Sequence, residues 1–173
     1  PLRRQRQMCI RDRSVEPPMF VDVVNVTSAA DMADVVKSKA AEQDIIIMTA
    51  AVADFCPSHP ADEKIKKNDS SYESVIELER TEDILSYLGA HKAKGQLICG
   101  FSMETQNMLE NSKAKLAKKN ADMIVANNLK VAGAGFGTDT NVVTLITADD
   151  CTELEIMDKS CVAARIMDRL LKM

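Results

Sequence analysis

Apolar residues along this chain fall into two patterns, short unbroken runs and longer stretches with helical spacing. Val21 to Val26 is a β-branched run that reads as a strand. Thr27 or Ser28 can cap a helix over Ala30 to Ala41, with Asp31 near its positive end and Met32, Val35 and Val36 forming its apolar face. Asp44 to Thr49 is a nearly continuous apolar strand, the pattern of a strand covered on both faces. A Pro-containing loop and a polar turn at Asn68 to Ser71 come next, then a short strand through Val75, Ile76 and Leu78. Thr81 caps a helix from Glu82 to Leu88 that opens with two acids. Gln96 to Phe101 reads as a buried strand and Ala121 to Asn127 as a fourth strand, on either side of a long helix, Glu104 to Lys119. Gly133 to Gly137 is a loop, Val142 to Thr147 a fifth strand and Thr152 to Ile156 an edge strand. Ser160 to Leu171 closes the chain as a helix with Val162, Ile166 and Leu170 on one face.

The repeated strand–helix–strand order predicts an α/β fold, a Rossmann-like and mostly parallel sheet with helices on both faces. The 173 residues suit one domain with a sizeable core. Pro1 to Arg13 is a separate matter. It lacks a helix or strand period, carries most of the arginines and resembles an in-frame translation of a sequencing-adapter remnant. It is set aside as non-native, the alternative being a natural basic arm, and the domain is expected over residues 14–173.

Composition narrows the function. Aromatics are 3% with no Trp, against nucleic-acid binding by stacking, and the net charge of −4 confines any anion site to a local patch. Five cysteines without a CxxC pair read as a reduced, cytoplasmic chain, and no apolar run reaches membrane-spanning length.

Ile45 to Lys67 concentrates the candidate chemistry: an apolar strand runs into AAVAD, a loop and then EKIKK. Open α/β sheets place ligands beyond the carboxyl ends of their strands, and clustered lysines point to an anion, a phosphate chain above all. Lys64 and Lys66 face one way on an extended segment; alternatively they guard an edge strand. Lys115 and Lys119 stack on one helix face, broadened by Lys113 and Lys118, either as a second clamp or as cations favoured at a helix C-terminus. Asp54 follows the strand as a ligand-binding acid, a helper for Mg²⁺ or an ordinary turn residue. Phe101 at a strand end stacks on a ligand or belongs to the core. GAGFG does not satisfy GxGxxG, and His59 and His91 are isolated.

Together AAVADF with EKIKK, GFSMET, KAKLAKKNADMIVANN and GFGTDTN before VTLI resemble the phosphopantothenoylcysteine synthetase family, in particular the ligase half of bacterial bifunctional coenzyme A biosynthesis flavoproteins. The resemblance covers Val21 to the C-terminus. It implies a CTP-dependent ligase that joins 4′-phosphopantothenate to cysteine through an acyl-cytidylate, with Mg²⁺ at the phosphates. By the same resemblance Met48, Thr49, Ala50 and Asp54 meet the nucleotide, as do Glu82, Asp83, Ile84, Leu85, Phe101, Lys115 and Lys119. Lys64 serves formation of the activated intermediate and Ala51 the cysteine step. Glu82 stands where the family often has proline. The family's glycine-rich first βα unit and SSGKMG-like segment are missing, so an N-terminally truncated ligase is expected, with FMN confined to the absent decarboxylase half. The resemblance also implies a homodimer, with the segment from Gly135 to Ile146 at its interface, and leaves ATP open as an alternative nucleotide. Two rival classes stand beside this one: a Rossmann-type NAD(P)-binding oxidoreductase and a non-catalytic interaction domain.

Overall fold

A computed structural model describes residues 7–10, 19–61, 63, 75–104, 107–128 and 137–173. The chain forms two compact units, Pro1–Val36 with Ala51–Asp83, and Lys37–Ala50 with Ile84–Met173.

The first unit opens with β1 (Gln7–Ile10) and β2 (Asp22–Asn25), paired in parallel with Gln7 opposite Asp22. The segment read as lacking a strand period therefore contains one strand. The start of α1 (Ala29–Ala40) is fixed by a reciprocal cap. The Asp31 carboxylate accepts from the Thr27 and Ser28 backbone amides and the Thr27 hydroxyl, while the Ser28 hydroxyl accepts from the Asp31 amide.

In the second unit β3 (Ile45–Met48) joins a five-stranded sheet. Back in the first unit, β4 (Phe55–Pro57) and β5 (Leu78–Arg80) form an antiparallel ribbon. The strand expected through Val75, Ile76 and Leu78 thus begins only at Leu78, and its partner lies in the stretch that the sequence assigns to a Pro-containing loop. Val75 and Ile76 are exposed, so no apolar face fixes them in a strand. The Asn68–Ser71 turn lies outside the described residues.

The helix expected from Glu82 starts two residues later, as α2 (Ile84–Ala90). Thr81 is not its cap: its amide donates to the Asp54 carbonyl at 3.0 Å and its hydroxyl to that of Ala53.

The remaining elements are β6 (Leu97–Glu104), α3 (Met108–Lys118), β7 (Met123–Asn128), β8 (Thr140–Asn141), β9 (Val143–Ile146), β10 (Cys151–Glu153), β11 (Met157–Asp158) and α4 (Lys159–Leu170). The sheet runs β10-β9-β7-β6-β3, with β3, β6 and β7 parallel and β9 and β10 antiparallel at the far side. A small β11–β8 pair was not anticipated from sequence.

Strand alternation assigns the two faces. Cys99, Met123, Val125, Val143 and Leu145 pack with Val162, Ile166 and Leu170 of α4, which recur every fourth position. Ile98, Ile124 and Ile146 are equally buried, on the alternate positions of the same strands. Gly100 also belongs to that alternate set. A Cβ on Gly100 would stand 2.6 Å from Leu85 Cδ2, which puts α2 over this face. Helices therefore cover both faces, as the near-continuous apolar strands predict.

Two polar side chains tie strand starts together. Asp122 accepts from the Ile98 amide at 2.7 Å and from Lys92 Nζ at 2.9 Å. Gln96, buried, donates to the carbonyls of Ala40 and Gln43, both at 2.6 Å.

Candidate functional site

Parallel strands place the ends of β3, β6 and β7 on one side of the sheet, where an α/β ligand site forms. Met48, the last residue of β3, sits opposite Gly100, and Phe101 follows opposite Val125. Thr49 and Ala50 continue from β3 as exposed chain. Phe101 is half-buried and packs on the core that α4 covers; it is not at the strand end expected from sequence, because β6 continues to Glu104, and it lies one position beyond the level at which β3 stops.

The helix lysines sort by burial. Lys113 and Lys118 are exposed, whereas Lys115 and Lys119 are half-buried and turned inward. Lys115 Nζ donates to the Phe101 carbonyl at 2.8 Å. Lys119 Nζ donates to Ser86 Oγ on α2 at 3.0 Å.

The position of Lys119 is set by the way α3 ends. Asn120 adopts the left-handed conformation at φ 48°, which Asn tolerates better than most residues. The Asn120 amide then bonds to the Ala117 carbonyl and the Ala121 amide to that of Leu116, closing a Schellman turn. Asn120 Nδ2 donates to the Gly89 carbonyl at 2.7 Å. Gly89 is a contact that only glycine permits, because a Cβ there would collide with the Lys119 carbonyl oxygen.

The other residues singled out from sequence divide as follows. Ile84 is 3% exposed and its side chain is core; Leu85 is half-buried against Gly100. In the first unit, Ala51 and Asp54 are exposed, and the Thr81 bonds to Ala53 and Asp54 bring the exposed Glu82 and Asp83 close to that loop. Lys64, with Lys66 and Lys67, lies outside the described residues, as do residues 133–136 of the GAGFG loop. Gly137 is described, at φ 72°. His91 stacks on Tyr87 at 4.1 Å, and His59 faces Glu77 at 4.0 Å; both histidines are exposed. Among the described residues no three His, Cys, Asp or Glu side chains converge in a metal-binding group. Burial, followed by the nearby Asp122 charge, pushes the Cys99 thiol up to about 12, so it is not poised as a nucleophile. No described helix is long and apolar enough to cross a membrane.

Sequence reasoning missed Ser86, Gly89 and Asn120. The Lys-Lys-Asn run was the signal available for the helix end; nothing in sequence linked it to Ser86.

The fold defines a Rossmann-like α/β domain with an antiparallel extension. The C-terminal domain of a coenzyme A biosynthesis bifunctional protein CoaBC, solved by crystallography, superposes with a TM-score of 0.79 at 39% identity, over 98% of this chain and 76% of that one. In sequence the chain is 46% identical over 156 residues to the coenzyme A biosynthesis bifunctional protein CoaBC of Bacillus subtilis (strain 168), covering 90% of this chain and 38% of that protein. It is 45% identical to a cysteine/cysteine sulfinic acid decarboxylase of an unknown prokaryotic organism, covering 87% of this chain and 42% of that protein. The chain thus spans about two fifths of the length of these curated relatives. It belongs to the family described as the DNA/pantothenate metabolism flavoprotein C-terminal domain, which matches residues 8–173.

Proposed function

We propose that the chain is a CTP-dependent ligase domain of coenzyme A biosynthesis, joining 4′-phosphopantothenate to cysteine. The observation that carries this reading is the pair Lys115 and Lys119. Both are drawn inward to fixed oxygens at Phe101 and Ser86, while the neighbouring Lys113 and Lys118 stay in solvent. Family membership and the likeness to the CoaBC C-terminal domain support it.

The chemistry asks for little else. A carboxylate oxygen of phosphopantothenate attacks the α-phosphorus of CTP; the bond to the β-phosphate oxygen breaks and pyrophosphate leaves with the electron pair. The cysteine amine then attacks the acyl carbon of the cytidylate, expelling CMP, and the amine proton passes to solvent. Both reactants of the first step are anions, so fixed cations lower its barrier by offsetting repulsion and developing charge. In this reading Lys115 and Lys119 take the phosphates, joined by Lys64 during activation. Met48, Thr49, Ala50, Phe101 and the segment Glu82 to Leu85 hold the nucleoside, and Ala51 adjoins the cysteine step. Ile84 contributes through its backbone, its side chain being buried. Asp54 is an exposed single carboxylate, which fits the usual way Mg²⁺ is held, by one or two acids and the substrate phosphates. Asp54 would hold the ion, which would neutralise charge on the triphosphate when bound. Positioning contributes the remainder, with no covalent protein nucleophile.

A second copy of the chain is the proposed partner. Val142 to Ile146 are buried in the chain's own sheet, so among the described residues the proposed interface segment offers surface only over residues 137–141.

The test is turnover with phosphopantothenate, cysteine and CTP, together with thermal shift by CTP and by NADPH. CTP raises Tm by mass action and NADPH does not. A shift with NADPH alone favours the oxidoreductase class. Unchanged CTP affinity in Lys64→Gln, Lys115→Gln and Lys119→Gln favours a non-catalytic interaction domain.

A further inference from the structure

The contacts between α2 and the end of α3 extend this reading, and the inference rests on it. Ser86 Oγ receives Lys119 Nζ at 3.0 Å. One turn on, the Gly89 carbonyl receives Asn120 Nδ2 at 2.7 Å, and Gly89 leaves no room for a side chain against the Lys119 carbonyl. The backbone of Lys119 is held in turn by its own amide on the Lys115 carbonyl at 2.9 Å and by the Schellman turn that follows. Lys119 is therefore fixed at both ends, its main chain by Gly89 and Asn120 and its ammonium by Ser86.

A lysine on a flexible stem loses rotamer freedom when it grips a phosphate, and that loss weakens binding. An ammonium already bonded to the Ser86 hydroxyl has lost part of that freedom beforehand. A neutral hydroxyl does this without cancelling the charge, which a carboxylate in the same place would do. The acceptor also lies on α2, whose first two residues belong to the segment that holds the nucleoside in the proposed function. The Ser86–Lys119 bond thus fixes the phosphate-gripping charge relative to that segment.

We infer that Ser86 is a positioning residue for the nucleotide triphosphate: its hydroxyl pre-sets the Lys119 ammonium in the orientation that grips a phosphate.

The test is CTP and cytidine binding by calorimetry on the 173-residue chain, comparing Ser86→Ala, Ser86→Thr, Lys119→Gln and Ser86→Ala with Lys119→Gln. The expected result is a roughly three- to tenfold rise in the CTP Kd for Ser86→Ala, the cost of ordering one long side chain at binding. Cytidine affinity stays as it was, Ser86→Thr restores CTP binding, and Ser86→Ala costs nothing further once Lys119 is Gln. An equal loss with and without Lys119, or a loss shared by cytidine, assigns Ser86 a merely structural role and overturns the inference, as does unchanged CTP affinity. Failure of the unsubstituted chain to bind CTP overturns the nucleotide reading itself, and this inference with it.

Discussion

Single side chains in this molecule are sorted by what surrounds them more than by type. Four lysines lie within seven residues of α3 and its end, yet only Lys115 and Lys119 are turned to fixed acceptors. Helical spacing does select that pair, since residues four apart share a face. What sequence could not supply is the acceptor, because Ser86 is 33 positions away. The cysteines show the same sorting. Cys151 and Cys161 are exposed, whereas Cys99 is fully buried among the β6 and β7 side chains. Its thiol is pushed from 9.0 to about 12 by burial and then by Asp122, cutting its thiolate fraction at pH 8 about a thousandfold. In native protein treated with iodoacetamide, Cys151 and Cys161 are expected to alkylate promptly, and Cys99 only after unfolding. Mass mapping that finds Cys99 modified at the rate of Cys161 would contradict this burial.

At the level of elements, ends matter more than middles. Helix α1 is held at its start by Asp31, whose carboxyl is lowered from 3.8 to about 2, first by the Thr27 and Ser28 side chains and then by their amides. The folded value lies below the unfolded one, so the ionised carboxylate stabilises the fold above about pH 4. That contribution drains away as pH falls from about 4 to about 2. Asp31→Asn is expected to be less stable at neutral pH and to lose less stability across that window; parallel acid-unfolding curves for the two proteins would reject the cap. The junction of α2 and α3 gives the sharper case. Replacing a helical glycine by alanine ordinarily gains up to about 1 kcal/mol. At Gly89 the new methyl meets a backbone carbonyl, which cannot swing aside as a side chain can. Overpacking of this kind costs about 1–3 kcal/mol. The collision wins, and Gly89→Ala is expected to lower Tm by roughly 2–4 °C for each kcal/mol lost. Gly100→Ala is milder, since it presses on the tip of Leu85. Calorimetric scans that rank the two variants the other way would refute the rigid junction.

Across the whole molecule, the parts legible in sequence are those whose residues carry their own reason for being there. The runs at Ile45–Met48 and Met123–Asn128 and the Val162, Ile166, Leu170 stripe declared buried strands and a core-facing helix. The β4–β5 ribbon did not declare itself. Its residues are mostly exposed, and it exists through pairing between segments 23 residues apart that no local pattern records. The onset of α2 departs from the sequence expectation for a related reason: Thr81 bonds to the distant Ala53 and Asp54, not to the helix it precedes. The same contrast governs stability. Among the described residues, only Val26, Met32 and Ala33 of the buried hydrophobic set belong to the first unit; the sheet and both its covered faces belong to the second. Exchange of amide hydrogens with solvent follows local opening, and opening is cheapest where little apolar surface is buried. The amides of Ile98, Cys99, Ile124, Val125 and Leu145 are therefore expected to exchange only through global unfolding. The Cys56 and Glu79 amides sit in a ribbon where Phe55 and Leu78 are exposed, so they open more easily. Exchange on the order of a hundredfold faster, about 3 kcal/mol lower in opening free energy, is the expected difference in a native-state experiment read by NMR. Equal protection in the ribbon and in β7 would mean that the ribbon opens only with the sheet, and that burial within each unit does not set the order of opening.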